Sequence, residues 1–200
     1  MPGLSYDNIP FPDSDMAPGP NKALGRFFTA WGQVEVVYGM IFRDLCGMDR
    51  DMGQIVFEKI GVREQLDILD DMTELIADDH LRTALETALQ AIRAISVARN
   101  KIAHSRWGLI DGEPARFWVG MTNAQSTAIW RNEGRGPTWR EKFIFTVPQI
   151  QALTESCVTQ RDVLHTVLGT LTRIEFEQER QAGVRSRAAR GRRHPALREQ

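Results

Sequence analysis

Apolar residues recur at spacings of three, four and seven positions in several long segments of the chain, which is the pattern of amphipathic helices. In the first of these segments, the apolar positions form one stripe: Leu24, Phe28, Trp31, Tyr38, Phe42 and Leu45. The stripe predicts a long first helix that begins near Asn21, because asparagine is a good helix N-cap. We therefore expect a mainly α-helical chain.

Two shorter helices are predicted to follow. The pattern indicates one around 52–60, broken near Gly61, and another with apolar positions from 62 to 76. The adjacent acidic residues Asp78 and Asp79 offer an N-cap for a further helix. Because turn and cap chemistry accounts for these carboxylates, we interpret them as structural and predict no metal site.

A fourth and a last helix complete the predicted bundle. The fourth is expected to run from about His80 to a stop at Gly108, since glycine commonly follows the last helical turn. The last is predicted to open at Pro148, because proline is favoured in the first turn, and its apolar stripe continues to Ile174.

Between these two helices, apolar and polar residues alternate with the period of β-strands. Residues 109–110 and 117–119 flank an Asp-Gly turn signal at 111–112, and together they predict an antiparallel hairpin. A second hairpin is predicted to pair 128–131 with 142–147. We expect a small antiparallel insert in an otherwise helical bundle of about five helices.

Length and composition fit one globular domain, since the chain has 200 residues of which 42% are hydrophobic. Residues 1–21 are rich in proline and predict an extended arm. The helical domain is expected over 22–182, with the β-hairpin insert at about 107–147. Residues 183–200 predict a basic, disordered tail.

The sequence also predicts a cellular compartment. No apolar run approaches the roughly 18 residues of a membrane span, and the first residues lack the basic and apolar regions of a signal peptide. Cys46 and Cys157 lie far apart in apolar helical patterns, so we interpret them as reduced core thiols. These features favour a cytoplasmic protein that makes no membrane contact.

The formal net charge of −1 conceals an asymmetry along the chain. The segment from Gly183 onward contains one glutamate and six arginines: Arg185, Arg187, Arg190, Arg192, Arg193 and Arg198. Such a segment has two interpretations, an arm that contacts nucleic acid or a solvated terminus.

The segment 99–104 reads Arg-Asn-Lys-Ile-Ala-His near the end of the predicted fourth helix. Arg99 continues the apolar stripe, whereas Asn100 and His104 are four positions apart and share the neighbouring face. A fixed cation, an amide and an imidazole form a minimal set for handling a phosphodiester. Arg99 and His104 lie about 140° apart around the helix, so they converge only if the arginine bends round or a second copy contributes.

A structural interpretation of the same residues stands beside the catalytic one. Glu35 lies between Trp31 and Tyr38 in the first stripe and is the candidate partner of an inward-facing Arg99. A buried Glu35–Arg99 ion pair would fix the register of two helices, and His104 would complement the negative end of its own helix. Physical arguments from these residues leave both interpretations open.

The motif resembles the R-x4-H motif, with an asparagine after the arginine, of the HEPN superfamily (higher eukaryotes and prokaryotes nucleotide-binding domain). Residues 98–108 are similar to the RN-x-x-aH-g helix end found in many bacterial members. The helix order and the position of the motif late in a long helix also fit. The resemblance covers roughly residues 22–180 and implies a compact helical bundle, usually dimeric.

Many HEPN proteins are metal-independent endoribonucleases of toxin–antitoxin, phage-defence and RNA-processing systems. The resemblance implies that Arg99 stabilises the phosphorane charge, Asn100 positions the substrate or the histidine, and His104 transfers protons. Glu35 is the implied supporting residue from the first helix. The resemblance further implies a homodimer with two motifs in one cleft, no cofactor, and a neutralising antitoxin or other partner protein.

The expected RNA-binding residues are the cations around this motif and in the tail. They are Lys101, Arg106, Arg185, Arg187, Arg190, Arg192 and Arg193. The alternative function is a non-catalytic HEPN module that binds RNA, a nucleotide or a partner protein.

Overall fold

Five α-helices, a short 3-10 helix and one three-stranded sheet make up the part of the chain that the structure, a computed structural model, describes: residues 18–110, 113–118 and 144–191. The helices are α1 (Pro18–Cys46), α2 (Arg50–Lys59), α3 (Val62–Met72), α4 (Asp79–Ala103) and α5 (Val147–Gly191), and the 3-10 helix is Thr73–Leu75. The strands are β1 (Ser105–Ile110), β2 (Glu113–Trp118) and β3 (Ile144–Thr146). The predicted mainly α-helical bundle with a small antiparallel sheet is confirmed.

The core lies between the apolar faces of α1, α4 and α5. Its buried side chains include Phe27, Trp31, Val34, Tyr38 and Ile41 of α1, Leu85, Leu89, Ile92 and Ile102 of α4, and Ile150, Cys157, Leu164 and Val167 of α5. Burying each large apolar side chain stabilises the fold by roughly 1.5–3 kcal/mol, so the predicted stripes supply the main driving force for this packing. Arg161 of α5 also donates a 2.8 Å hydrogen bond to Gln33 of α1 at the surface of the bundle.

A side-chain cap sets where helix α4 begins. The Asp78 carboxylate accepts hydrogen bonds from the backbone N–H groups of His80 and Leu81 at 2.9 and 3.0 Å, which confirms the predicted N-cap of α4. Helix α1 begins at Pro18, upstream of the predicted start at Asn21.

Helix α4 ends at Ala103, so the predicted stop at Gly108 is wrong. The Ser105 hydroxyl donates a 2.6 Å hydrogen bond to the Ile102 carbonyl, and from Ser105 onward the backbone pairs with β2. Gly108 therefore lies inside strand β1, opposite Ala115. Ladder pairing of β1 with β2 takes the place of the last predicted helical turn.

The sheet has the order β1-β2-β3 and both of its ladders are antiparallel. The β1-β2 pair confirms the first predicted hairpin, whose 111–112 turn lies outside the described residues. Strand β3 falls within the predicted segment 142–147 and pairs with β2. Its predicted partner, 128–131, lies outside the described residues.

Helix α5 begins at Val147, directly after β3 and one residue before the predicted Pro148. The Gln149 side-chain oxygen accepts a 2.8 Å hydrogen bond from the Thr146 N–H, which stabilises this start as in a capping box. The helix continues to Gly191, so the backbone of 183–191, predicted to be disordered, is helical. Residues 1–17 and 192–200 lie outside the described residues.

Cys46 and Cys157 are both free thiols, and burial raises the pKa of Cys157 to about 11. Among the described residues, no helix is long and apolar enough to cross a lipid bilayer.

Candidate active site at the end of helix α4

The C-terminal turn of α4 carries the three side chains of the R-x4-H motif. Arg99 and Asn100 lie in the last turns of the helix, and His104 is its C-cap residue, with a backbone N–H that donates a 3.1 Å hydrogen bond to the Asn100 carbonyl. The His104 side chain is exposed, and it makes no hydrogen bond or ion pair with any residue that the structure describes. An accessible imidazole one helical turn after an asparagine amide is available to exchange protons with a bound molecule.

The Arg99 side chain bends round the helix towards the Asn100–His104 face. One terminal nitrogen of its guanidinium donates a 3.0 Å hydrogen bond to the Asn100 side-chain oxygen. The guanidinium carbon lies 5.9 Å from the centre of the Trp31 ring, within the range of a cation–π contact. This bend brings the arginine and the amide together within one chain. It also moves the guanidinium part of the way around the helix towards His104, which lies about 140° from Arg99.

Arg99 and Trp31 also share an unusual feature, because each has a buried nitrogen without a partner. The Arg99 Nε and the Trp31 Nε1 are both enclosed, and neither donates a hydrogen bond to another protein atom in the described part of the chain. The guanidinium is held by its contact with the indole ring and by the hydrogen bond from its outer nitrogen to Asn100.

The predicted ion pair between Glu35 and Arg99 is not formed. Among the described residues, no salt bridge joins these two side chains. Both charges nevertheless act on the buried Tyr38 hydroxyl: burial raises the pKa of Tyr38, the Glu35 carboxylate raises it further, and the Arg99 guanidinium lowers it. Glu35 instead lines a cleft of about 570 Å³ beside α2, with Arg43 among its other lining residues.

Arg116 of β2 binds the end of the motif helix and was not among the predicted site residues. Its guanidinium donates to the Ile102 carbonyl at 3.0 Å, to the Ser105 hydroxyl at 2.8 Å and to the Ser105 carbonyl. The guanidinium carbon also lies 5.2 Å from the centre of the Trp107 ring. Because Ile102 and Ser105 lie on either side of His104, these bonds fix the backbone that carries the imidazole. Burial lowers the pKa of Arg116.

We expect Arg116→Met to lower the free energy of unfolding by about 2 kcal/mol, because hydrogen bonds from a charged donor contribute roughly 1.5–3 kcal/mol. Urea denaturation followed by circular dichroism measures the change. A matched control is Arg63→Met on α3, where the side chain is 87% exposed and the free energy should change by less than about 0.5 kcal/mol. Equal stabilities of the two variants would show that Arg116 does not support the helix end.

The remaining predicted RNA-binding cations are divided between two regions. Lys101 and Arg106 lie beside His104, and the Lys101 ammonium is 5.5 Å from the centre of the Trp118 ring. Arg185, Arg187 and Arg190 lie in the helical backbone of α5, whereas Arg192 and Arg193 lie outside the described residues. Of the cations whose side chains the structure describes, Lys101 and Arg106 therefore lie beside the motif. The exposed fraction of Arg106 is large, whereas Lys101 is half-buried.

The start of α1 is tied to the same end of the molecule. The Trp107 indole N–H donates a 3.1 Å hydrogen bond to the Asn21 side-chain oxygen. Asn21, predicted as an N-cap, therefore connects α1 to strand β1 instead.

In residues 18–110, 113–118 and 144–191, no group of three or more histidine, cysteine, aspartate or glutamate side chains is placed to hold a metal ion.

The chain matches no protein-family model, no curated protein and no solved structure. The HEPN resemblance therefore depends on the R-x4-H motif and its helical context.

Proposed function

We propose that this protein is a HEPN-type endoribonuclease that cleaves RNA without a metal ion, in a toxin–antitoxin or phage-defence setting. The observation that carries the proposal is the arrangement at the end of α4: an exposed His104, Asn100 one turn before it, and the Arg99 guanidinium hydrogen-bonded to that asparagine. A cation, an amide and an imidazole on one helix end supply charge stabilisation, orientation and proton transfer.

The chemistry assigned to these residues is transesterification within the RNA. The neutral His104 imidazole accepts the proton of a ribose 2′-hydroxyl, and the 2′-oxygen attacks the adjacent phosphorus. The bond from phosphorus to the 5′-oxygen breaks, and an imidazolium donates a proton to this leaving oxygen. The products are a 2′,3′-cyclic phosphate and a free 5′-hydroxyl.

Arg99 suits the charge that develops on the phosphorane. Its guanidinium is always protonated, and planar donors bind two phosphate oxygens at once. Its contacts with Trp31 and Asn100 hold it in place before the substrate binds. Such preorganised donors contribute typically 100-fold or more to the rate, at about 2.7–4 kcal/mol each.

We also propose a homodimer in which two motifs line one cleft. In each motif, His104 would act first as the base and then, once protonated, as the acid. Lys101 and Arg106, beside His104, would contact the phosphates of the RNA. A protein that covers this cleft would act as a neutralising partner.

Cleavage of total RNA is expected to persist in excess EDTA and to leave 2′,3′-cyclic phosphate ends. The reason is that the proposed proton transfers and charge stabilisation need only side chains of the chain itself. The experiment uses an RNA without Mg²⁺-dependent structure, and a control oligonucleotide has 2′-deoxyribose at the cleaved nucleotide. Loss of cleavage in EDTA, restored by one specific metal, would reject the mechanism, as would cleavage of the deoxy control.

A second candidate function is a non-catalytic HEPN module that binds RNA, a nucleotide or a partner protein. The observation that favours it is the engagement of Arg99, whose Nε is buried and whose outer nitrogen is already bound to Asn100. Tight RNA binding without any new RNA ends would support this function in place of cleavage.

A further inference from the structure

The C-terminal part of α5 extends beyond the helical bundle. Leu171 is the last described residue of α5 that packs against the core, but the helix continues to Gly191. We call residues 172–191 the α5 extension; at 1.5 Å per residue it is about 30 Å long. Its described side chains are all exposed: Thr172, Arg173, Ile174, Phe176, Glu177 and Arg180.

One side of the α5 extension carries a row of arginines with a phenylalanine among them. At 100° per residue, five positions fall within an arc of about 100° around the helix axis. We call them the arginine row: Arg173, Phe176, Arg180, Arg187 and Arg190. By the same helical register, Leu164 and Leu171 of the core face lie on the opposite side of α5. The described members Arg173, Phe176 and Arg180 therefore lie on the side of the helix away from the core face, and the backbone register continues this line to positions 187 and 190.

The described members of the row are available to a partner. The Phe176 side chain is 67% exposed, which is unusual for a large apolar ring. Arg173 and Arg180 are exposed and make no ion pair in the described part of the chain, although Glu177 lies within one helical turn of both. Cations that bind phosphates, with an aromatic ring that stacks on a base, form the usual surface for single-stranded nucleic acid.

We propose that the arginine row is a second binding surface for single-stranded RNA, separate from the motif. This inference rests on the proposed function, which makes RNA the substrate of the site on α4. Helix α5 begins beside the sheet that follows the motif, and Arg173 lies about 39 Å further along the helix axis than Val147. A long RNA that reaches both surfaces would gain affinity from the row, because the second contact becomes intramolecular.

The first test compares two neighbouring arginines that differ in the side of the helix on which they lie. In a His104→Ala background, the affinity for a labelled single-stranded RNA of about 30 nucleotides is measured by fluorescence anisotropy at several salt concentrations. Arg187→Gln is expected to weaken binding and to reduce the slope of log affinity against log salt by about 0.7. Arg185→Gln removes the same charge on the opposite side and should change the slope much less.

The second test compares two exposed apolar residues of the α5 extension. Phe176→Ala is expected to weaken binding by about fivefold or more, as loss of one base–aromatic stack does. Ile174→Ala removes a residue that is 36% exposed on the opposite side, and it should leave the affinity unchanged. Helix content by circular dichroism shows that both variants stay folded.

Either pair of variants can overturn the proposal. Equal slopes for Arg187→Gln and Arg185→Gln would mean that the helix contributes only general charge, and equal affinities for Phe176→Ala and Ile174→Ala would exclude stacking. Unchanged binding in all four variants would exclude the row as an RNA-binding surface. Because every measurement uses the His104→Ala background, failure of wild-type protein to cleave RNA is a separate result that bears on the proposed function.

Discussion

Replacing His104 by alanine is expected to reduce RNA cleavage at least about 100-fold while the protein stays folded. The imidazole is the proton-transfer group of the proposed mechanism, and positioned acid–base groups typically contribute 10²–10⁴-fold. The side chain is exposed and makes no described contact, so the free energy of unfolding should change by no more than about 1 kcal/mol. Quantified cleavage of a single-stranded RNA and urea denaturation measure the two effects.

A matched control for this variant lies on the same helix. His80 is also exposed, but it stands at the opposite end of α4, where its backbone N–H donates a hydrogen bond to the Asp78 carboxylate. His80→Ala should cleave RNA at the wild-type rate. If His104→Ala cleaves as fast as His80→Ala, the catalytic assignment is wrong. If it unfolds, His104 is mainly structural.

The bundle could be predicted from the sequence because its helices bury continuous apolar stripes. The residues of α1 and α4 that form the core are spaced at three and four positions, and no competing pattern interrupts them. The end of α4 could not be predicted in this way. Its position depends on the pairing of Ser105–Ile110 with β2 and on the hydrogen bonds from Arg116, which come from a strand further along the chain.

The composition of the last segment also gave an incomplete prediction. Many arginines with glycine and alanine suggested a disordered tail from Gly183, yet the α5 backbone continues to Gly191. Arginine, alanine, glutamine and glutamate are good helix formers, so a helix already started in the core extends into this segment at little cost. The arginine row can be identified only once the helical register of this segment is known.

At the candidate site, the sequence predicted which residues lie together but not how they are paired. The face shared by Asn100 and His104 follows from helical spacing alone. The partner of Arg99 does not, because its long side chain reaches Asn100 and the Trp31 ring, and no salt bridge to Glu35 forms among the described residues. The sequence does contain a feature that could have pointed to the structural role of Arg116, because this residue is a charge between Ala115 and Phe117 in an apolar segment.

Replacing Arg99 by alanine is expected to lower RNA cleavage by about 100-fold, because the developing phosphorane charge loses its fixed cation. The fold should tolerate the change, since a partly buried cation–π contact such as that with Trp31 contributes about 2 kcal/mol. Arg99→Lys should recover part of the activity, because lysine keeps the charge but lacks the planar donors. Arg82→Ala, on the same helix in an exposed pair with Asp79, is the control and should cleave normally.

A mixture of Arg99→Ala and His104→Ala subunits distinguishes two arrangements of the proposed dimer. Because the Arg99 guanidinium is bound to Asn100, one turn from His104 in the same chain, we expect the arginine and the histidine of each subunit to act together. Every subunit in the mixture then lacks one essential group, and cleavage should stay about 100-fold below wild type even after the subunits are unfolded and refolded together. Recovery of about a quarter of the wild-type activity would instead mean that Arg99 of one subunit serves His104 of the other, since mixed dimers would contain one complete pair.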